Sequence, residues 1–148
     1  MNPPGDCVVD ASVALKWVLD EEGSEAAAAL LDGRRLYAPP LLLIEAANAL
    51  WVACRRGAIS ADDAEDALHQ IAAAPFRNWL RPGNLPADAF RLARLLDHPV
   101  YDCSYLALAM AIGVPVVTAD RRFVQAAGRS PEAGSLVCLL GVSSSATR

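Results

Sequence analysis

The chain has 148 residues, 54% of them hydrophobic, enough to bury one substantial core and too few for two independent domains. A formal net charge of −4 ordinarily argues against a nucleic-acid partner, because phosphate contacts are made by positive surface. The longest apolar run, residues 41–54, is broken by Glu45 and Asn48 and falls short of the roughly 20 residues that span a bilayer, so no membrane helix is expected.

The N-terminus lacks the basic and apolar segments of a secretory signal, which makes the cytosol the expected compartment. An apolar strand at about 7–10, "CVVD", leads to a helix over about 12–20, with Val13, Leu15, Trp17, Val18 and Leu19 on its apolar face. An alanine-rich helix over about 24–31 stops at Gly33. A short strand over about 35–38 is followed by Pro39 and Pro40, which suit the first turn of a helix running to about Arg56. Ser60 is an N-cap for "ADDAEDALHQIAAA", whose early acids Asp62, Asp63 and Glu65 lie where the helix dipole favours negative charge.

"FRNWLRPG" offers a short strand, and a helix over about 86–97 turns Phe90, Leu92, Ala93, Leu95 and Leu96 inward before His98 and Pro99 break it. A helix over about 102–112 ends at Gly113, ahead of the strand "VPVVTA". A short helix over about 120–126 and a last strand, "SLVCLLGV", complete the domain, placed at residues 1–142, with 143–148 as a flexible tail. Strands separated by helices, with buried-looking runs such as "VPVV", predict an α/β fold: three α/β/α layers around a mostly parallel sheet. The cysteines Cys7, Cys54, Cys103 and Cys138 form no CxxC pair and read as reduced packing residues.

In open parallel sheets, ligands bind beyond the carboxyl ends of the strands. Asp10 and Asp120 both stand at such ends, and Asp102 heads a helix; each alone reads equally well as a helix cap. Glu45 differs, because it lies inside "LLLIEAANALWVAC" and a glutamate is rarely buried without a partner. Asn48, three residues on, shares its helix face, although the two also read as a polar stripe. Four converging carboxylates repel one another and need cations. An all-oxygen set suits Mg2+ or Mn2+ rather than Zn2+, and two such ions would balance the formal charge of −4. Ser12 and Thr118, each two residues from an aspartate of this set, are candidate supports for a carboxylate. The basic residues are twelve arginines and Lys16, so the positive charge is almost all of the planar kind suited to phosphate.

"VVDASVALKW", "APPLLLIEAANAL" and "YDCSYLALAMAIGVPVVTADRRF" resemble, in order and spacing, the successive motifs of PIN-domain ribonucleases, specifically the toxins of type II toxin-antitoxin modules of the VapBC kind. The resemblance extends over nearly the whole chain. It implies a PIN-like fold in which Asp10, Glu45, Asp102 and Asp120 are the acidic quartet, both catalytic and metal-binding. Thr118 then matches the "T-x-D" hydroxyl, Ser12 the small polar residue after the first aspartate, and Asn48 the asparagine of "E-x-x-N". The implied chemistry is Mg2+- or Mn2+-dependent cleavage of RNA by an activated water, leaving 5′-phosphate and 3′-hydroxyl ends. Implied partners are an RNA substrate, a VapB-type antitoxin lying across the catalytic groove, and a second copy in a homodimer.

Arg121 and Arg122 directly follow Asp120 and are candidate phosphate contacts, though an exposed helical turn explains them too. His69 and His98 read as structural, with His98 the nearer to the cleft. Trp17 and Trp51 are candidate anchors for a partner, with core packing the better reading for each. A haloacid-dehalogenase-like phosphatase would need an aspartate where Ser12 stands. A phospho-receiver domain would need a lysine after a late strand, and the only lysine is Lys16. The remaining alternative is a PIN fold used purely as a binding module, its acids kept but turnover lost.

Overall fold

The computed structural model describes residues 5–77 and 83–141. Its centre is a four-stranded parallel sheet in the order β2-β1-β3-β4, made of β1 (Cys7–Val9), β2 (Leu36–Tyr37), β3 (Val116–Thr118) and β4 (Val137–Leu139). Val8 pairs with Tyr37 on one side and Val116 on the other, so β1 is central. Successive strand residues point to opposite faces. All of β1 and all of β3 are buried, so both faces of the sheet are covered, which is why these strands read as unbroken apolar runs.

The covering helices are α1 (Ala11–Ala14), α2 (Ser24–Ala28), α3 (Leu41–Arg55), α4 (Ala61–Ala72), α5 (Leu85–Leu96), α6 (Val100–Ile112), α7 (Arg121–Ala127) and α8 (Pro131–Gly134). Helix α6 packs on β1 and β3, α5 lies against α6, and α3 lies against α1 and α4. Tyr105, Phe123, Leu30, Leu36, Leu42, Ile71, Leu96, Leu106 and Leu108 are the largest side chains sealed in the core. The three-layer α/β/α expectation therefore holds.

Several local expectations need correction. The opening helix does not run over 12–20: α1 stops at Ala14 and tightens into a 3-10 turn at Leu15–Trp17. The Trp17 indole N–H donates to the Ala27 carbonyl at 2.8 Å, and the Lys16 ammonium donates to the Glu22 carbonyl at 2.5 Å, tying the chain sideways toward α2 instead of onward. Helix α2 ends at Ala28, and 3-10-type bonds at Leu30 and Leu31 carry the turn onward. Phe90 and Leu95 do not face inward but are 56% and 64% exposed. The face α5 presents to the core instead carries Leu85, Ala89, Leu92, Ala93 and Leu96, spaced at helical intervals.

Trp51 is not core either, being 55% exposed with the Arg55 guanidinium 5.0 Å from its ring centroid. Of "FRNWLRPG", Phe76 makes a single parallel bridge to Leu36, while residues 78–82 lie outside the described residues. Residues 142–148, which include the expected tail, lie outside them too. Helix α8 is an element not foreseen, and the last strand is shorter than expected, Val137–Leu139. The Ser60 cap forms as expected, its hydroxyl accepting from the Asp63 N–H at 3.1 Å. All four cysteines are free thiols, and burial pushes those of Cys7 and Cys103 up to about 11.

Candidate active site

Because β1 and β3 are adjacent and parallel, the residues just past their carboxyl ends meet. Asp10 follows β1, its N–H donating to the Val117 carbonyl at 3.1 Å, and its side chain is buried at 4% exposure. Its Oδ2 accepts the Thr118 hydroxyl at 2.6 Å and the Ser12 hydroxyl at 2.9 Å. Each hydroxyl also accepts a backbone N–H, Ser12 from Ala119 across the junction and Thr118 from Asp120 two residues on, both at 3.0 Å. Ser12 and Thr118 thus stitch the two strand ends together around one carboxylate oxygen.

The other acids arrive on helices. Glu45 sits in the second turn of α3, and its Oε1 accepts the Tyr105 hydroxyl at 2.5 Å. Asp102 lies inside the first turn of α6 rather than capping it, since Pro99 holds the N-cap position. Its Oδ2 is 2.7 Å from His98 Nε2, and the His98 ring stacks on Phe123 with centroids 5.5 Å apart. Asp120 does cap its helix, accepting the Arg122 N–H at 2.9 Å. Each carboxylate therefore has one oxygen held by a donor of its own.

The four acids also feel one another. Burial raises the carboxyls of Asp10, Glu45 and Asp102 above their ordinary range. The hydroxyls of Thr118 and Ser12 pull Asp10 back, the Tyr105 hydroxyl does so for Glu45, and His98 does so for Asp102. Negative charge works the other way: Asp102 raises Asp10, both of these raise Glu45, and Asp120 raises Asp102. The set is one electrostatic neighbourhood with a surplus of negative charge. Among the described residues, however, no three His, Cys, Asp or Glu side chains stand close enough to hold a metal ion as they are. The donor chemistry fits a hard divalent cation, all oxygen and mutually repelling, while the side chains are each drawn to their separate donors.

Asn48 is exposed on α3, and the side chains of Arg121 and Arg122 are exposed on the first turn of α7. The Lys16 ammonium is engaged with Glu21 at 3.2 Å, and His69 is exposed on α4. Sequence reasoning missed Tyr105 and took His98 for a structural residue near the cleft, whereas both hold acids of the set. Two signals were there: a tyrosine in an apolar helix must find a partner for its hydroxyl, and Tyr105 lies three residues after Asp102 on the same helical face.

The PIN domain family model matches residues 7–129. The chain is 34% identical over 122 residues to ribonuclease VapC3 of Pyrobaculum aerophilum, spanning 80% of this chain and 92% of that one. It is 32% identical over 126 residues to ribonuclease VapC12 of Mycobacterium tuberculosis, spanning 84% and 95% respectively. The crystal structure of PAE2754 from Pyrobaculum aerophilum shares the fold, with a TM-score of 0.62 at 24% identity over 90% of this chain and 83% of that one. With a buried aspartate at the junction of two parallel strands and relatives matched over most of their length, the chain belongs to the PIN-domain family, among its VapC-type members.

Proposed function

We propose that the chain is the toxin of a type II toxin-antitoxin pair, an endoribonuclease that hydrolyses RNA phosphodiester bonds with Mg2+ or Mn2+. The observation that carries this reading is the gathering of Asp10 and Asp120 past the ends of two adjacent parallel strands, with Glu45 and Asp102 near enough for their charges to act on Asp10 or each other. Carboxylates gathered where burial and one another's charge disfavour ionisation, as for Asp10, Glu45 and Asp102, gain most from a cation, and these three with Asp120 are the residues that would hold it. When bound, such an ion supplies Lewis-acid chemistry, acidifying water and offsetting the charge of the phosphate. Ser12 and Thr118 fix one oxygen of Asp10, Tyr105 fixes one of Glu45, and His98 one of Asp102. Arg121 and Arg122, exposed beside Asp120, offer two guanidinium groups to the RNA backbone. Cys7 and Cys103 are poor nucleophiles, their thiols being held protonated at neutral pH.

The relatives' VapC names support a VapB-type antitoxin as partner and RNA as substrate. Exposed apolar side chains on α3 (Ile44, Trp51, Val52) and on α5 and α6 (Phe90, Leu95, Val100, Tyr101) support contact with that antitoxin and with a second copy in a homodimer. No helix of the described residues is long and apolar enough to cross a membrane, and a cytoplasmic location is part of the same proposal. The alternative, a binding module that keeps the acids without turnover, draws its support from the side chains' separate donors and the lack, among the described residues, of three acids gathered for an ion.

Purified protein incubated with defined RNA and Mg2+ or Mn2+ separates the two readings. The nuclease reading expects cleavage that EDTA abolishes and that Asp10→Asn and Asp120→Asn lack, together with growth arrest on expression that vanishes in those variants. Growth arrest persisting at full strength in them would establish the binding module instead.

A further inference from the structure

We infer that Tyr105 is a positioning residue of the acid site, anchoring Glu45 by its hydroxyl so that the carboxylate's other oxygen is presented to a bound cation; this rests on the nuclease reading above. Tyr105 is wholly buried, yet its hydroxyl ends among the acids, 2.5 Å from Glu45 Oε1. The phenol hydroxyl is the donor of this bond and the carboxylate the acceptor, so the contact fixes one oxygen of Glu45. Glu45 has three rotatable side-chain bonds and apolar neighbours, Ile44 and Ala46, on either side of it in α3. Without the hydroxyl it would be a half-buried carboxylate free to swing toward solvent, and orienting partners of metal ligands commonly govern affinity by about 10–100-fold. The bond also ties α3 to α6, the helix that carries Asp102.

The test is Tyr105→Phe, which removes one oxygen and keeps the packed ring. Mn2+ titrated calorimetrically into the full chain should bind about 10–100-fold more weakly in Tyr105→Phe than in wild type. RNA cleavage should lose kcat while KM stays within about twofold, the pattern of an interaction lost at the reacting centre rather than in substrate binding. In a Glu45→Gln background, Tyr105→Phe should add nothing further to either loss. Wild-type Mn2+ affinity and kcat in Tyr105→Phe, or losses that multiply independently with Glu45→Gln, would overturn the assignment. If Tyr105→Phe does not fold, the wild-type protein still decides. A hydroxyl proton resonance for Tyr105 that shifts when Mg2+ is added supports the anchor, and one that Mg2+ leaves unmoved overturns it. Wild-type protein that cleaves no RNA refutes the nuclease reading alone, because the calorimetric and resonance readouts do not depend on turnover.

Discussion

Asp10→Asn separates an acid kept for a cation from an acid kept for the fold. Burying a carboxylate costs several kcal/mol, and the two hydroxyl bonds to Asp10 at 2.6 and 2.9 Å offset only part of that. As bonds to a charged group they contribute about 1.5–3 kcal/mol each, and an asparagine amide that keeps both as neutral bonds retains about 0.5–1.5 kcal/mol each. The substitution thus gives up roughly 2–3 kcal/mol of bonding and relieves both the desolvation and the repulsion from Asp102 and Glu45. In EDTA the variant should therefore be more stable than wild type, by about 1–3 kcal/mol or roughly 3–8 °C in Tm. Added Mg2+ should reverse the order at a thousand times its Kd, where a bound ligand stabilises by about 4.1 kcal/mol that the variant forgoes. Circular dichroism melts in EDTA and in Mg2+ measure both arms. Two outcomes would refute the reasoning: a variant less stable than wild type in EDTA, or an equal rise in Tm with Mg2+ for both proteins.

Other consequences are equally open to measurement. The raised carboxyls of Asp10, Glu45 and Asp102 have ordinary values of 3.8, 4.5 and 3.8, and a group whose folded pKa is raised adds stability below its unfolded value that is lost as pH climbs through the folded one. Urea midpoints of the metal-free protein should accordingly fall as pH is raised from the ordinary carboxylate range toward neutrality, and Asp10→Asn should flatten the slope; a midpoint rising throughout would contradict this. Phe123→Ala empties a wholly buried position and removes the ring that backs His98, so unfolding should become easier by about 3–5 kcal/mol in urea titrations. Replacing Arg121 and Arg122 by Ala should leave the fold's stability within about 0.5 kcal/mol. If both touch RNA phosphates, the dependence of log affinity on log salt should weaken by roughly 0.7 per arginine in binding titrations, and an unchanged slope would remove them from the interface.

Much of the fold was legible because its signals are local. "CVVD" and "VPVVTA" read as buried parallel strands from unbroken apolar runs, and Ser60 was visible as a cap, as was Gly113 as a helix stop. Errors gathered where a side chain's partner is distant in sequence. Trp17 bonds to a carbonyl ten residues on and shortens the opening helix, and the face of α5 that packs against α6 left Phe90 and Leu95 outside. Core packing was the better reading for Trp51 beside a partner anchor, and only the packing of α3 against α1 and α4 decided that its side met solvent.

For the site, the sequence by itself determined which acids are present and that two of them end strands, since a polar residue closing an apolar run is a one-dimensional signal. Tertiary structure alone decided that β1 and β3 are neighbours, bringing Asp10 within 2.6 Å of a hydroxyl 108 residues away. It likewise decided which donor holds each acid: Ser12 and Thr118 for Asp10, Tyr105 for Glu45 across 60 residues, His98 for Asp102. Residue types and spacing specify what chemistry a chain can offer. The direction and strength of that chemistry depend on burial and on distances between helices and strands, which exist only after the layers have packed.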